Sequence, residues 1–381
     1  MTTFIMASFP SNMTCPGCGQ VHHYRPVVVG QVATCSRCNV VLYRNRPRMM
    51  ETVLALTIAG LVLFVISNFW PLLELSTQGF EEELHLLGAS IAFWDQDYPI
   101  VAFLLVLNLV VFPLFELLSL LVIALTIRYH WKPKVAAFLF HWQRELRPWG
   151  MLEVFMLSIL VSVVKLGTVA ALVVGPAFWA FAGLIVVMAA ATATLEPSSV
   201  WRELGMEPPV RVPRANSIEV TWALLIAAAI LYIPANLLPI MSSYKLGLGQ
   251  PDTIVSGVFY LWATGQWPLA LIVFAASVVV PLMKLITLSF LLITIQWKSS
   301  WRQQERMRLY HIIEYLGRWS MVDVFVIAIL VGLVQFGNLA RVEANAGSFS
   351  FAAVVVLTML AARTLDEHLI WNISRQREQG K

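Results

Sequence analysis

One apolar segment occurs twice in this chain, 170 residues apart. Met151–Gly167 reads MLEVFMLSILVSVVKLG and Met321–Gly337 reads MVDVFVIAILVGLVQFG, with 8 of the 17 positions identical. Each copy follows a tryptophan and carries an acid at its third position, Glu153 or Asp323. An apolar run of this length predicts a membrane-spanning helix. An acid inside such a helix is expected to face protein or water, because its ionised form is costly in hydrocarbon.

The duplication extends beyond this segment into both halves of the chain. Further matched residues recur at a shift of 168 or 170 positions. They are Asn68 and Pro71 with Asn236 and Pro239, Pro113 with Pro281, and Thr194-Leu195-Glu196 with Thr364-Leu365-Asp366. Similarity at one fixed distance indicates two copies of a structural unit of about 170 residues.

The composition is that of an integral membrane protein. Of the 381 residues, 59% are hydrophobic and only 13% are charged, and the mean hydropathy is +0.74. The net charge of +4 does not indicate a nucleic-acid-binding surface, and no P-loop nucleotide motif occurs. The first 50 residues are polar and contain cysteines, so no cleavable signal peptide is expected.

The apolar runs predict eight membrane-spanning helices in two tandem modules of four. The predicted spans are 52–73, 98–127, 150–172, 176–195, 219–241, 266–296, 319–340 and 348–364. The second and sixth are longer than a bilayer of about 30 Å requires, so we expect them to tilt or to extend into water.

The distribution of Lys and Arg predicts the orientation. With the N-terminus inside, the inner segments hold 20 basic residues, whereas the outer loops hold only two, Lys245 and Arg341. The opposite orientation would reverse this excess, so both termini are expected in the cytoplasm. The first outer loop, 74–97, carries six acids and no Lys or Arg, which suits the periplasmic side of a bacterial inner membrane.

All four cysteines lie near the N-terminus in two CxxC pairs. Cys15 and Cys18 form the first pair and Cys35 and Cys38 the second, with 16 residues between the pairs. This spacing is typical of a zinc ribbon, in which four thiolates hold one structural Zn²⁺ ion that stabilises a segment too small to bury a core. The two histidines between the pairs are expected on the surface. The alternative is a redox-active CxxC pair, although no βαβ pattern accompanies it.

The chain is therefore predicted to be an all-α integral membrane protein with a small N-terminal zinc ribbon. The predicted divisions are a leader at 1–14, the cytosolic ribbon at 15–46, a first four-helix module at 47–195, a linker at 196–218 and a second four-helix module with its cytosolic tail at 219–381. The linker contains no cysteine, and its proline-rich part is expected to be an extended connector.

Four prolines interrupt the apolar spans, namely Pro71, Pro113, Pro239 and Pro281. A proline lacks an N–H donor and leaves a carbonyl group unbonded, which lipid cannot satisfy. Asn68 and Asn236 each precede a proline by three residues, so their side chains can reach such groups. Two interpretations remain open: a structural kink, and a broken helix that lines a transport cavity.

Five charged residues lie within the predicted spans: Glu116, Glu153, Lys165, Lys284 and Asp323. The repeat aligns Glu116 with Lys284, Glu153 with Asp323, and Lys165 with Gln335. A charge near the bilayer centre costs at least about 2.5–3.5 kcal/mol, so we expect Lys284 to pair with Asp323 and Glu116 with Lys165. The passive interpretation is a structural ion pair or a side chain that reaches the interface. The functional interpretation is a proton relay or gate.

Several strings in the second half resemble the paraquat-inducible protein A family. They are TWALL at 221–225, YIPANLLPIM at 232–241, DTI at 252–254, SGV at 256–258 and WPLA at 267–270. The CxxC pairs and the duplication agree with this resemblance, which covers nearly the whole chain. It implies two similar four-helix membrane modules, each preceded by a zinc ribbon, in an inner-membrane partner of lipophilic tunnels built by periplasmic MCE-domain proteins. The implied role is the movement of phospholipid or other lipids between the inner and outer membranes.

The resemblance also implies a proton-coupling motif in the third helix of a module, a lysine followed three residues later by an acid. Lys165 matches the lysine, but Thr168 stands in the place of the acid, which argues against a relay built on that acid. The cysteines of a second ribbon are likewise absent from the linker.

The sequence thus predicts a lipid-transport component of the inner membrane rather than an enzyme. Its expected partners are phospholipid and a periplasmic MCE-domain protein, and its expected cofactor is Zn²⁺. Two other classes remain open: a membrane redox protein that uses the CxxC pairs, and a membrane scaffold or adaptor without transport of its own. Bound zinc with four protected thiols would exclude the redox protein, and a scaffold would tolerate neutral replacements of the in-membrane charges.

Overall fold

A computed structural model provides the structure of the chain. It describes residues 12–15, 20–23, 25, 27–28, 30–37, 39–44, 46, 48–77, 80–129, 131–166, 171–206, 216–245, 248–297, 302–334, 340–365 and 369.

Two short antiparallel hairpins precede the helices. They are β1 (Asn12–Thr14) with β2 (Val21–His23), and β3 (Val32–Thr34) with β4 (Val41–Arg44). Cys15 follows β1 and Cys35 follows β3, so each CxxC pair begins at the turn of one hairpin.

The first half of the chain contains helices and one outer sheet. Its described elements are α1 (Met49–Phe69), β5 (Leu73–Thr77), β6 (Phe80–Leu84), α2 (Gly88–Asp95), α3 (Pro99–Val106), α4 (Phe112–Tyr129), α5 (Pro133–Leu146), α6 (Leu152–Leu166), β7 (Ala171–Val174), α7 (Pro176–Thr194) and α8 (Pro197–Glu203).

The second half repeats this order. Its described elements are α9 (Ser217–Leu237), β8 (Met241–Lys245), β9 (Leu248–Asp252), α10 (Ile254–Ala263), α11 (Trp267–Phe274), α12 (Val280–Gln296), α13 (Gln303–Gly317), α14 (Val322–Leu333), β10 (Ala340–Ala344) and α15 (Ala346–Thr364).

Seven helices in the described part of the chain are long and apolar enough to cross a membrane. They are Met49–Phe69, Pro99–Tyr129, Pro176–Thr194, Ser217–Leu237, Trp267–Gln296, Gln303–Leu333 and Ala346–Thr364. Their outward-facing side chains are apolar, as at Phe103, Val186 and Ile233, which suits contact with lipid. The helical membrane architecture is as predicted, but the count of eight spans is not confirmed. The third predicted span, 150–172, corresponds to α6, which has only 15 residues and ends at Leu166.

Two of the long apolar helices, Pro99–Tyr129 and Trp267–Gln296, each contain a π-helical turn next to a proline. The turn Leu107–Val111 joins α3 to α4 just before Pro113, and the turn Ala275–Val279 joins α11 to α12 just before Pro281. A π turn widens the helix locally and removes the need for the hydrogen bond that proline cannot make. These two prolines therefore lie inside continuous helices, where the duplicated π turns accommodate them.

A three-stranded antiparallel sheet lies at one end of the helices in each half. The strand orders are β6-β5-β7 and β9-β8-β10, so the two sheets have the same topology. In each sheet the strand after the first helix pairs with the strand that precedes the last helix. The sequence predicted loops at these positions, so both sheets are additions to the predicted all-α fold.

The linker is not wholly extended, because α8 lies within the predicted segment 196–218. Trp201 of α8 is buried and packs against Phe140 of α5, with 5.4 Å between ring centroids. Burial raises the pKa of Glu196 just before α8, even though Ser198 Oγ donates a hydrogen bond to its Oε1 at 3.3 Å. The proline-rich part of the linker, which is predicted to be an extended connector, lies within 207–215 and outside the described residues.

The repeated segment forms the centre of the protein, where α6 and α14 pack against each other. Ser158 Oγ donates hydrogen bonds to Val154 O at 2.9 Å and to Val322 O at 3.0 Å. Nearly every residue of α14 is buried, because helices of both halves surround it. The two copies that the sequence identifies thus form the contact between the halves.

Candidate functional site

Lys284 lies at the centre of a buried polar group in the second half. It is only 1% exposed, and its Nζ donates to Gly317 O at 2.7 Å and to Thr358 Oγ1 at 3.4 Å. Thr358 Oγ1 itself donates to Val355 O, so a lone pair is left to accept from the ammonium group. The predicted ion pair with Asp323 is not found among the described contacts, because the ammonium group of Lys284 points to these two neutral oxygens instead.

Gly317 is necessary for this position of Lys284. A Cβ atom at residue 317 would collide with Lys284 Cε and would lie 2.8 Å from its Nζ. Sequence reasoning missed Gly317 and Thr358, although the repeat gave a signal. Gly317 stands where the first half has Arg147, and Thr358 stands where it has Met188.

Asp323 lies at the start of α14 and is 6% exposed. It lines a cavity whose other walls are mostly apolar, among them Val161, Ile254 and Leu330. Asp323 and Leu330 are seven positions apart on one helix, so the cavity extends about 10 Å along α14. The arrangement is an apolar space with one carboxyl group on its wall.

This cavity exists because the two halves pack differently at their outer ends. In the first half α2 lies directly against α14, where Gly332 leaves room for the backbone of Ala89. In the second half α10 occupies the matching place in the chain, but the apolar cavity lies between it and the central helices, with Ile254, Gly257 and Leu261 on its wall. The side of the central helices that faces α2 is therefore closed by packing, whereas the side that faces α10 is open to the cavity.

Glu116 lies on α4 at the position that matches Lys284 and is 8% exposed. It lines a second cavity together with Arg147 and Glu153. Both of those side chains are exposed and lie close enough to Glu116 to act on it electrostatically. The structure thus brings the two acids of the first half together, with an arginine that the sequence did not identify.

Three of the predicted relay positions are not described. The predicted pairing of Glu116 with Lys165 falls on α6, but the side chain of Lys165 lies outside the described residues. Thr168 and Gln335 also lie outside them.

Pro71 and Pro239 follow the ends of α1 and α9 and do not interrupt those helices. Pro71 O accepts from Ala177 N at 3.3 Å, and Pro239 O accepts from Gly347 N at 3.1 Å. The first N–H groups of a helix have no partner within it, so these carbonyl groups cap α7 and α15. A Cβ on Gly347 would collide with Pro239 O, which explains the glycine there.

The side chains of the two matched asparagines form hydrogen bonds within their own helices. Asn68 Nδ2 donates to Phe64 O at 2.8 Å, and Asn236 Nδ2 donates to Tyr232 O at 2.9 Å. The expectation that they satisfy carbonyl groups freed by the prolines is therefore not met. Their acceptors are carbonyl groups one turn earlier in the last turns of α1 and α9.

The cysteine segment fits a metal centre in the part that is described. Cys15 and Cys35 are buried at 1% and 0% exposure, and the backbone N–H of Arg37 points to Cys35 Sγ at 3.4 Å. An N–H group aimed at sulfur favours a thiolate, the form that binds zinc. His22 was expected on the surface, but it is half-buried with Nε2 3.1 Å from Cys35 Sγ.

The rest of the predicted zinc site is not described. Cys18 and Cys38 lie outside the described residues, within which no group of three or more His, Cys, Asp or Glu side chains could hold a metal ion. The hairpins themselves pack under the second half. Gln304 Nε2 of α13 donates to Arg37 O at 3.2 Å, and Tyr43 shares a buried apolar cluster with Leu292.

These features define a multi-pass helical membrane protein with an internal duplication and with charged groups buried among its helices. The chain belongs to the paraquat-inducible protein A family, whose family model matches residues 50–205 and again 218–374.

Curated relatives resemble this chain over most of its length. The intermembrane transport protein PqiA of Escherichia coli (strain K12) is 32% identical, over 90% of this chain and 91% of that protein. A probable intermembrane transport protein of Haemophilus influenzae is 28% identical, over 90% and 91%. The lipophilic envelope-spanning tunnel protein A of Escherichia coli (strain K12) is 26% identical, over 94% and 90%. No solved structure matches the chain.

Proposed function

We propose that this protein is the inner-membrane component of a lipid transport system. It would pass phospholipid or another lipid to or from a periplasmic MCE-domain protein. Family membership and relatives named for intermembrane transport and for an envelope-spanning tunnel support this proposal.

The apolar cavity beside Asp323 is the observation that carries the proposal. Its lining of Val161, Ile254 and Leu330 suits an acyl chain, because apolar walls gain free energy when they exchange water for hydrocarbon. The cavity lies between the halves and reaches Ile240 and Met241 at the base of the outer sheet. A lipid held there would lie below the periplasmic surface, where a tunnel protein would receive it.

Lys284 and Asp323 are the groups that we assign to proton coupling. Each is buried in a helix that borders the centre of the protein, and ionisable groups inside a membrane protein commonly serve as proton relays. A change of charge at Lys284 would weaken its contact with Gly317 O and loosen α13 against α12. We do not assign catalytic activity to these groups.

The proposed location is the bacterial inner membrane with both termini in the cytoplasm. The excess of Lys and Arg in the inner segments supports this orientation. It places the cysteine hairpins in the reducing cytosol, where a zinc ribbon is favoured over disulfide or redox chemistry. In the proposed ribbon Cys15, Cys18, Cys35 and Cys38 hold Zn²⁺, which stabilises the hairpins.

Reconstitution tests the proposal. Vesicles containing the full chain and labelled phospholipid are mixed with a soluble MCE-domain protein from the same organism, and lipid on the MCE protein is measured after separation. Transfer is expected with the unmodified chain, with dependence on a pH gradient if Lys284 and Asp323 couple transport to protons.

Matched variants separate transport from a scaffold role. Lys284→Gln and Asp323→Asn are expected to abolish transfer, while Lys134→Gln and Glu51→Gln, which change exposed residues, leave it unchanged. If the unmodified chain binds the MCE protein and transfers no lipid, the scaffold class is correct. If transfer persists in both buried variants, the relay is excluded.

A further inference from the structure

Three matched positions of the repeat form a cluster of contacts in the second half and line a cavity in the first. Glu116, Arg147 and Met188 in the first half correspond to Lys284, Gly317 and Thr358 in the second, at shifts of 168, 170 and 170 residues. In the second half Lys284 contacts both of the other residues. In the first half the same three positions line a cavity.

In the second half the side chain of Lys284 occupies the corresponding place and is only 1% exposed. Lys284 extends across to the carbonyl group of Gly317 and to Thr358 on α15. In the first half the side chain of Glu116 is shorter than that of Lys284, and Glu116 and the exposed Arg147 both line the cavity. The cavity thus follows directly from the exchange of residue types between the halves.

Glu116 is the buried acceptor on the wall of this cavity. It is more than nine-tenths buried, and its Oε1 has no hydrogen-bond partner among the described residues. Gln143, which is 3% exposed, forms a side-chain hydrogen bond with the Glu116 carboxyl group and does not line the cavity. A buried carboxylate oxygen without a donor is costly, so a ligand that brings donors would be bound favourably.

The rim of the cavity carries charges of both signs. Arg147 and Glu153 are both exposed there, and Ile185 and Met188 of α7 form an apolar wall beside them. A bare cation would be repelled by the arginine and a simple anion by the two acids. A ligand with an ammonium group and a phosphate group matches both, since the ammonium group has three N–H donors and guanidinium binds phosphate with two.

We propose that the cavity formed by Glu116, Arg147 and Glu153 binds the zwitterionic headgroup of an aminophospholipid, a phosphate ester that bears a primary ammonium group. The ammonium group donates to the Glu116 carboxyl group at the buried end, and the phosphate lies against Arg147 at the rim. This assignment rests on the proposed lipid-transport function and gives it a substrate class. It also places a selective entry site between the first turns of α4 and the second half of α7.

Lipid competition tests the assignment. The full chain is purified in mixed micelles with equal amounts of phosphatidylethanolamine, phosphatidylcholine and phosphatidylglycerol of identical acyl chains, and retained lipids are counted by native mass spectrometry. Phosphatidylethanolamine should be retained preferentially, because choline has no N–H donors and phosphatidylglycerol has no cation. Glu116→Gln should lower that preference by about tenfold, the change expected when one charge-assisted hydrogen bond is lost.

Two further variants keep the result interpretable. Glu51→Gln on the exposed start of α1 should leave the preference unchanged. The triple variant Glu116→Lys, Arg147→Gly and Met188→Thr copies the second half and should fold, fill the cavity and lose the preference. Competition with soluble O-phosphoethanolamine then shows whether the free headgroup suffices for binding or the membrane lipid is required.

The assignment fails if the unmodified chain retains the three lipids equally, or if Glu116→Gln keeps the preference. The transfer assay distinguishes that failure from failure of the proposed function. Transfer of phosphatidylglycerol and phosphatidylethanolamine at equal rates would leave lipid transport intact and remove only the headgroup site. Absence of all transfer would remove the function itself.

Discussion

Phe155 and Phe325 occupy the same position in the two copies of the repeated segment and pack against each other edge to face. Their ring centroids are 5.4 Å apart and their planes meet at 87°. Phe155 also packs against Phe181 at 5.7 Å, which ties the contact to α7. The duplicated helices therefore recognise each other through matched residues, as in a homodimer interface.

A double-mutant cycle measures this contact. Phe155→Leu and Phe325→Leu should each destabilise the protein, with a coupling free energy of about 0.5–1.5 kcal/mol for the aromatic pair. Denaturation in mixed micelles provides the measurement. The same cycle between Phe325 and Phe69, which is 75% exposed, should show no coupling. Equal coupling in both cycles would mean that the edge-to-face contact contributes nothing specific.

Gly347→Ala tests the cap that Pro239 O provides at the start of α15. The new methyl group would collide with that carbonyl group, so we expect destabilisation by about 1–3 kcal/mol. Thermal unfolding in detergent reports the loss. Gly257→Ala in α10 is the control, because a Cβ atom there meets nothing within 4 Å and alanine favours a helix. Similar melting temperatures for the two variants would contradict the cap.

Gly317→Ala tests the contact between Lys284 and the backbone of α13. The added methyl group would displace Lys284 and lower the melting temperature. Truncation in Lys284→Ala removes the atoms that clash, so the double variant should be more stable than the sum of the single effects indicates. Additive losses would show that Lys284 does not occupy this place.

Zinc removal tests the ribbon. The purified chain should contain ~1 zinc ion per molecule, and all four cysteines should resist thiol reagents until a chelator is added. Because Gln304 contacts Arg37, chelation should also speed proteolysis near the start of α13. Intact protein without metal but with disulfides would favour the redox alternative.

The sequence predicted the features that depend on periodicity and composition. It identified the duplication, the long apolar helices and the in-membrane positions Glu116, Lys284 and Asp323, all of which the structure buries. The charged residues at matched positions could be recognised from the sequence because the repeat aligns one half with the other.

Features that depend on long-range pairing were not predicted. The strand Phe80–Leu84 reads FEEEL and resembles an acidic loop, since nothing local shows that it pairs with β5. The role of Gly317 was likewise not predicted. The need for a glycine at this position follows from the side chain of Lys284 beside it, and the sequence does not show that contact. Pro71 was interpreted as a helix break, whereas its carbonyl group caps a helix 105 positions later in the chain.

Gln96 of the first half behaves like an additional residue at the edge of β10 in the second. Its Nε2 donates to Val342 O at 3.3 Å and its Oε1 accepts from Ala344 N at 2.8 Å. At the other end of α15 the halves contact each other through the partly exposed ion pair of Arg363 with Glu145, and such pairs contribute little. The hydrogen bonds of Gln96 therefore fix the first half to the end of α15 that adjoins the sheet more firmly than this ion pair fixes it to the other end.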